Sequence, residues 1–312
     1  MRQPMAAIEV ANLTPAPPVA RARWRDYLEL TKPRVVSLMV FTVVVGMLLS
    51  SPSWLPWRPM LFGTLGIALV AGAAAALNHL VDQQLDARMA RTRARPLPRG
   101  ALSSGRVALF AGVLGASGMG LLLVFTNLLC ALLTFASLVG YALVYSVFLK
   151  HSTPQNIVIG GAAGAAPPLL GWVAMTGQVD AGALILFLII FVWTPPHFWA
   201  LAIHRRDDYA RAGVPMLPVT HGVPFTTRRI LAYTVALLPV TLMPVFIGLS
   251  GGLYGVCALL LGLRFIGLAW RLQRDIRCAM PTFRFSILHL FGLYAALLTD
   301  HYLPSLVLIF SG

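Results

Sequence analysis

The chain has 312 residues, 58% of them hydrophobic and only 11% charged, with a formal net charge of +14. About a quarter of the residues in a water-soluble domain carry charge, so a soluble fold is excluded and the apolar excess must face lipid. The positive charge lies between apolar blocks, which assigns it to membrane orientation and leaves no nucleic-acid partner to expect. Cys130, Cys257 and Cys278 show no CxxC pairing; the first two read as small core residues, and no disulfide framework or zinc site is visible.

Residues 1–25 are rich in Ala, Pro and Arg, show no periodicity, and read as a disordered tail without the apolar core of a cleavable signal peptide. Residues 26–312 then form a single membrane domain. A membrane-crossing helix needs about 20 apolar residues, and candidate spans fall at roughly 34–51, 59–80, 107–126, 129–149, 156–176, 182–203, 230–249, 252–271 and 286–310. The predicted fold is therefore an all-α integral membrane protein, a single bundle of about nine transmembrane helices. The last span is interrupted by Asp300, His301 and Pro304.

Lys and Arg crowd one side. They include Arg21, Arg23, Arg25, Lys32 and Arg34 before the first span, and Arg88, Arg91, Arg93, Arg95, Arg99 and Arg106 between the second and third. Lys150 follows the fourth span, Arg205, Arg206, Arg211, Arg228 and Arg229 follow the sixth, and Arg271, Arg274, Arg277 and Arg284 follow the eighth. The other side has Arg58, with Arg264 snorkelling inside a span. This asymmetry places the N-terminus and the long loops in the cytoplasm, in a cytoplasmic (bacterial inner) membrane, with the C-terminus outside.

Four of the ten acidic residues cluster at the cytoplasmic ends of the second and sixth spans, which run in the same direction. This suggests two helical halves with a site between them, although no sequence identity proves a duplication. The first cluster, Asn78-His79-Leu80-Val81-Asp82-Gln83-Gln84-Leu85-Asp86, has the form NxxxDxxxD. A four-residue spacing stacks three oxygen-bearing side chains on one helix face. Two like charges there cost a few tenths of a kcal/mol, and desolvation adds to that. A hard divalent cation would offset the cost, and Mg²⁺ takes one or two carboxylates together with phosphate oxygens. The competing reading pairs Asp82 and Asp86 with Arg88 and Arg91 on a solvated helix end. Against it stands the excess of arginine in the following stretch to Arg99, where Arg91 and Arg95 suit bidentate recognition of phosphate.

The second cluster, His204-Arg205-Arg206-Asp207-Asp208-Tyr209-Ala210-Arg211, has adjacent acids that point about 100° apart on a helix, so one of Asp207 and Asp208 is expected to face the first cluster. A local Arg–Asp surface pair is the alternative. Tyr141, Tyr145 and Lys150 cap the fourth span, where phenol and ammonium groups could reach a diphosphate; the same residues also make an ordinary interfacial belt.

The NxxxDxxxD motif, the Arg91-Thr92-x-x-Arg95-Pro96-Leu97-Pro98 run after it and the acidic loop four spans later resemble the UbiA superfamily of intramembrane prenyltransferases. The closer resemblance is to its heme O synthase (protoheme IX farnesyltransferase) branch. It rests on Leu30-Thr31-Lys32-Pro33-Arg34-Val35, on the stretch from Thr153 to Trp172, on Trp193-Thr194-Pro195-Pro196-His197-Phe198-Trp199, and on Asp208-Tyr209 followed by Gly213-Val214-Pro215-Met216-Leu217-Pro218. Residues 226–312 match in hydropathy and length alone. The superfamily's second acidic motif is DxxxD, whereas Arg211 and Ala212 stand here where the second acid would fall, which puts a second metal in doubt.

The resemblance implies Mg²⁺ held by Asn78, Asp82, Asp86 and the Asp207–Asp208 pair, with Asp82, Asp86 and Asp208 catalytic. Arg91, Arg95, Tyr145 and Lys150 would bind farnesyl diphosphate, and heme b would be the acceptor. His197 is the candidate for holding heme, with a packing histidine as the equal alternative; His79 and His204 are weaker candidates. The resemblance also makes a downstream heme-modifying enzyme or an oxidase assembly a candidate partner, beside membrane lipid. Competing functions are an aromatic-acceptor prenyltransferase, a cation-coupled transporter, whose acids would sit near the midplane rather than at span ends, and a structural assembly factor with no use for acids at metal-ligand spacing.

Overall fold

The computed structural model describes residues 22–51, 56–89 and 92–311, and every regular element among them is helical. Most of the expected tail thus lies outside the described residues, while its last two residues, Trp24 and Arg25, already belong to helix α1, Trp24–Leu30. Pro33 lacks an N–H and its ring bars the right-handed helical conformation at the preceding residue. Lys32 accordingly takes a left-handed conformation (φ 49°, ψ 59°), and α2, Pro33–Leu49, leaves α1 at a bend of 53°.

The helices that follow are α3 (Pro59–Val81), α4 (Gln83–Arg88), α5 (Ser104–Phe125), α6 (Leu128–Leu149), α7 (Asn156–Thr176) and α8 (Ala181–His204). After them come the short α9 (Arg206–Arg211) and α10 (Leu217–Thr220), then α11 (Val223–Phe246), α12 (Gly252–Arg274) and α13 (Ala279–Ser311). Eight helices among the described residues are long and apolar enough to cross a membrane, and nine if the bent α1–α2 pair is one span. The chain is a multi-pass membrane protein, with the span number its hydropathy predicts.

Two departures from the expected boundaries share a cause. Both α11 and α13 begin about two turns before their apolar windows, because their first turns carry Arg228, Arg229 and Arg284 and lower the local hydropathy. Asp300, His301 and Pro304 do not interrupt α13. The Asp300 carboxylate accepts a hydrogen bond from the Ser250 hydroxyl at 2.7 Å and another from the Gly251 N–H. It therefore closes the turn between α11 and α12. The proline pairs Pro167–Pro168 and Pro195–Pro196 likewise leave α7 and α8 continuous. Packed neighbours tolerate such prolines in membrane helices.

The helices form one bundle in which α2, α7 and α8 are central. α2 packs on α7, α7 on α8, and α8 on α11 and α13, while α3 joins α5 on the other side. The tightest joint is α2–α7. A methyl group at Gly46 would overlap the Pro168 carbonyl, and one at Gly171 would overlap the Val43 carbonyl. Water cannot drive helices together inside lipid, so close packing at small residues has to do it. Gly171→Ala should cost about 1–3 kcal/mol through overpacking and lower the melting temperature in detergent. Gly164→Ala, at a position with open space around it, should leave it unchanged; equal melting of the two variants would contradict the assignment.

Candidate functional site

The last turns of α3 build the site. Gly72 and the alanines from Ala73 to Ala76 let neighbouring helices approach, and the helix ends at Asp82, where α4 takes over. The register survives this junction, because Asp82 N–H donates to the Asn78 carbonyl (2.9 Å) and Asp86 N–H to the Asp82 carbonyl (2.8 Å). Asn78, Asp82 and Asp86 therefore form the stripe their spacing predicts, and all three are buried.

Three cations converge on this stripe. Lys150 Nζ donates to Asp82 Oδ2 (2.6 Å) and Arg95 to Asp86 Oδ2 (2.7 Å). Lys32 Nζ donates to Asn78 Oδ1 (2.6 Å), whose amide nitrogen donates to Asp82 Oδ2 and to Ser146 Oγ, each at 2.9 Å. Thr92 Oγ1 donates to the Asp86 carbonyl (3.0 Å) and so pins the arginine-rich turn to the acids. Arg91 and the Arg88 side chain, the partners of the competing surface-pair reading, lie outside the described residues. Three cations face two carboxylates, so the site carries a positive bias that suits a polyanion.

The end of α6 supplies Ser146 and Lys150 through a π-helical segment, Gly140–Leu149. Its wider turn brings Ser146 against Asn78 while Tyr141 and Tyr145 stack with ring centroids 5.6 Å apart. Gly160 of α7 lacks the side chain that would collide with the Tyr145 ring. Both ring nitrogens of the buried His79 lack a hydrogen-bond partner among the described residues, and Nδ1 lies 3.9 Å from Asp86 Oδ2.

The second acidic cluster has ion pairs of its own. Asp207 is exposed, and Asp208 pairs with Arg211 (2.6 Å) and Arg205 (3.6 Å) on α9. The hydrogen bond from Arg211 holds the Asp208 carboxyl below the usual carboxylate range. Beside Asp208 lies a cavity of about 70 Å³ lined by Met89, Leu201, Arg205, Asp208 and Tyr209. Among the described residues no three His, Cys, Asp or Glu side chains converge at metal-binding distance. The first cluster nevertheless offers donors of the right kind for Mg²⁺: hard oxygens on one stripe, with the buried Asp82 Oδ1 lacking a hydrogen-bond partner among the described residues.

His197 sits about 10 Å below the end of α8, stacked on Trp193 (4.2 Å between centroids) and packed against Phe283 and Phe198. Its Nδ1 lies 2.6 Å from Ser286 Oγ, while that hydroxyl donates to the Phe283 carbonyl (2.6 Å). The hydroxyl has one proton to give, so Nδ1 carries the imidazole N–H and Nε2 keeps its lone pair. His204 is exposed at the end of α8.

Sequence reasoning missed Lys32, Ser146 and Thr92 as site residues. A lysine directly before proline, at a helix bend, was a readable sign for Lys32; nothing in the sequence marks Ser146.

A helical membrane bundle with buried carboxylates and an excess of cations at one end defines a membrane protein built to hold a polyanionic group. The chain belongs to the UbiA prenyltransferase family, which matches residues 39–299. It is 62% identical over 286 residues to the protoheme IX farnesyltransferase of Stutzerimonas stutzeri, covering 91% of this chain and 96% of that protein. Its fold is similar to the structure described as digeranylgeranylglyceryl phosphate synthase (TM-score 0.77, 19% identity, 89% of this chain and 98% of that one). It is also similar to a UbiA homologue from Archaeoglobus fulgidus bound to GPP and Mg²⁺ (TM-score 0.59, 14% identity, 87% and 99%).

Lys150→Met should destabilise the protein by about 3–5 kcal/mol by stranding the buried Asp82 charge. Combining it with Asp82→Asn should restore much of that loss. Thermal or denaturant unfolding in detergent reads the cycle, and additive effects would show that the pair is not coupled.

Proposed function

We propose that this chain transfers a farnesyl group from farnesyl diphosphate to a vinyl group of protoheme IX (heme b), releasing diphosphate and giving heme O. The observation that carries this reading is the buried Asn78–Asp82–Asp86 stripe met by Lys32, Lys150 and Arg95. The relative named above, at 62% identity over most of both chains, supports heme as acceptor and farnesyl as donor. The Lys/Arg asymmetry supports a cytoplasmic N-terminus and a site that opens toward the cytoplasm.

Asn78, Asp82 and Asp86 would hold Mg²⁺, with Asp208 or Asp207 as a further ligand. The bound ion would supply charge neutralisation at the diphosphate, making it a better leaving group. Lys150, Arg95, Lys32 and Arg91 offer N–H donors to the diphosphate oxygens, and Tyr145 offers a phenol from the side of α6. The allylic C–O bond breaks with its electron pair leaving on diphosphate. The vinyl π-electrons then form the new C–C bond, and water adds to the carbocation beside the porphyrin and loses a proton, leaving a hydroxyethylfarnesyl side chain. Apolar helix walls keep water from the first cation. His197, with Nε2 free to donate a lone pair, would hold the heme iron.

Asp82→Asn and Asp86→Asn should each lower heme O formation by at least about 10²-fold without loss of the inserted protein. Mass spectrometry of hemes from cells that otherwise make only heme b reads this directly, and near-normal turnover would refute the metal assignment. His197→Ala should raise the KM for heme about tenfold and leave that for farnesyl diphosphate unchanged; a parallel change in both would reduce His197 to a packing residue. Small phenolic acids should not replace heme as acceptor.

A further inference from the structure

Away from the acidic stripe, at the same end of the bundle, a cavity of about 390 Å³ opens between the start of α11 and the end of α12. Two arginines flank it, Arg228 and Arg274, with Gln273 and Thr227 beside them. Arg228 Nε donates to the Pro224 carbonyl (3.2 Å), which orients the guanidinium and leaves its terminal nitrogens for another acceptor. Arg274 lies over the Trp270 ring, 5.4 Å from its centroid. Neither arginine has a carboxylate partner among the described residues. The adjacent Asp275 is engaged elsewhere, accepting from the Arg277 N–H at 2.9 Å.

The remaining wall is apolar, formed by Val223, Leu272 and Ile276. Trp270 is half exposed at the same level, where an indole marks the boundary between hydrocarbon and headgroups. Farther along the two helices, Val235, Leu260 and Leu263 are exposed and face lipid. Paired guanidinium groups recognise phosphate oxygens, and an apolar wall beside helices with exposed apolar side chains suits a ligand with attached acyl chains.

We propose that this cavity is a binding site for the phosphate headgroup of an anionic phospholipid, held by Arg228 and Arg274 with its chains along α11 and α12. It is separate from the diphosphate site, with which it shares no residue, and it does not depend on the identity of the prenyl acceptor.

The test uses the full chain, purified in neutral detergent, with bound lipid counted by native mass spectrometry. Phosphatidylglycerol should be retained at concentrations where phosphatidylcholine is not, and the R228Q/R274Q variant should weaken its binding about tenfold or more. A control variant that removes as much charge from the same face, R34Q/R106Q, should bind it as the wild type does. The single variants R228Q and R274Q should each show part of the loss, and they carry the test if the double variant does not fold. The proposal is overturned if R228Q and R274Q both retain phosphatidylglycerol fully, or if the two lipids bind alike. Displacement of the lipid by inorganic phosphate at matching concentration would also overturn it, by making the cavity a site for soluble anions.

Discussion

Two carboxylates buried at the end of a membrane bundle set the terms for the rest of this structure. Taking an isolated carboxylate out of water costs several kcal/mol even after relaxation, and Asp82 and Asp86 lie one helical turn apart. Cations from three separate segments answer that cost: Lys32 from the α1–α2 bend, Arg95 from the loop after α4, and Lys150 from the end of α6. Each cation fixes the position of its own segment, so the loops at this end are ordered by charge as much as by apolar packing. The stripe thus acts as the keystone of one face of the bundle, and a substrate that engages these cations also engages the contacts that hold the face together.

The arrangement favours a ligand that brings negative charge and can accept a cation. Without such a ligand the lysines and Arg95 compensate the acids. With a diphosphate and a divalent ion in place, the same lysines and arginine would have phosphate oxygens as alternative acceptors, and the acids would have the metal. The charges at the site are matched to a complex of metal and polyanion, which is why its excess of cations is compatible with metal binding. Asp208 of the second acidic cluster is held by Arg205 and Arg211, on either side of it in the chain.

Much of this was legible in the chain itself. Hydropathy counts the spans because lipid leaves a helix few alternatives, and the four-residue spacing of Asn78, Asp82 and Asp86 reads as one face because 3.6 residues make a turn. Lys150 and Arg95 were recognisable as cations beside acids. Ser146 was not, because a π-helical segment shifts the register of α6 and so its side chains face where an α-helical count does not put them. The role of Lys32 depends on a contact over 46 residues of sequence, which no local pattern encodes. The proline pairs and Asp300 misled in the same way: each looks disruptive in isolation, and a neighbouring helix or turn supplies what it lacks.

The interlocked glycines of α2 and α7 have a mechanical consequence. Gly46 and Gly171 each face a carbonyl oxygen of the opposite helix, so sliding one helix along the other would drive an oxygen into a backbone carbon. That seam is effectively riveted. Gly66 of α3 and Gly118 of α5 meet each other's carbonyls in the same way, whereas leucine side chains pad the joints where Leu238 meets Gly262 and Leu261 meets Gly292. The α11–α12 and α12–α13 joints can therefore give where the α2–α7 seam cannot.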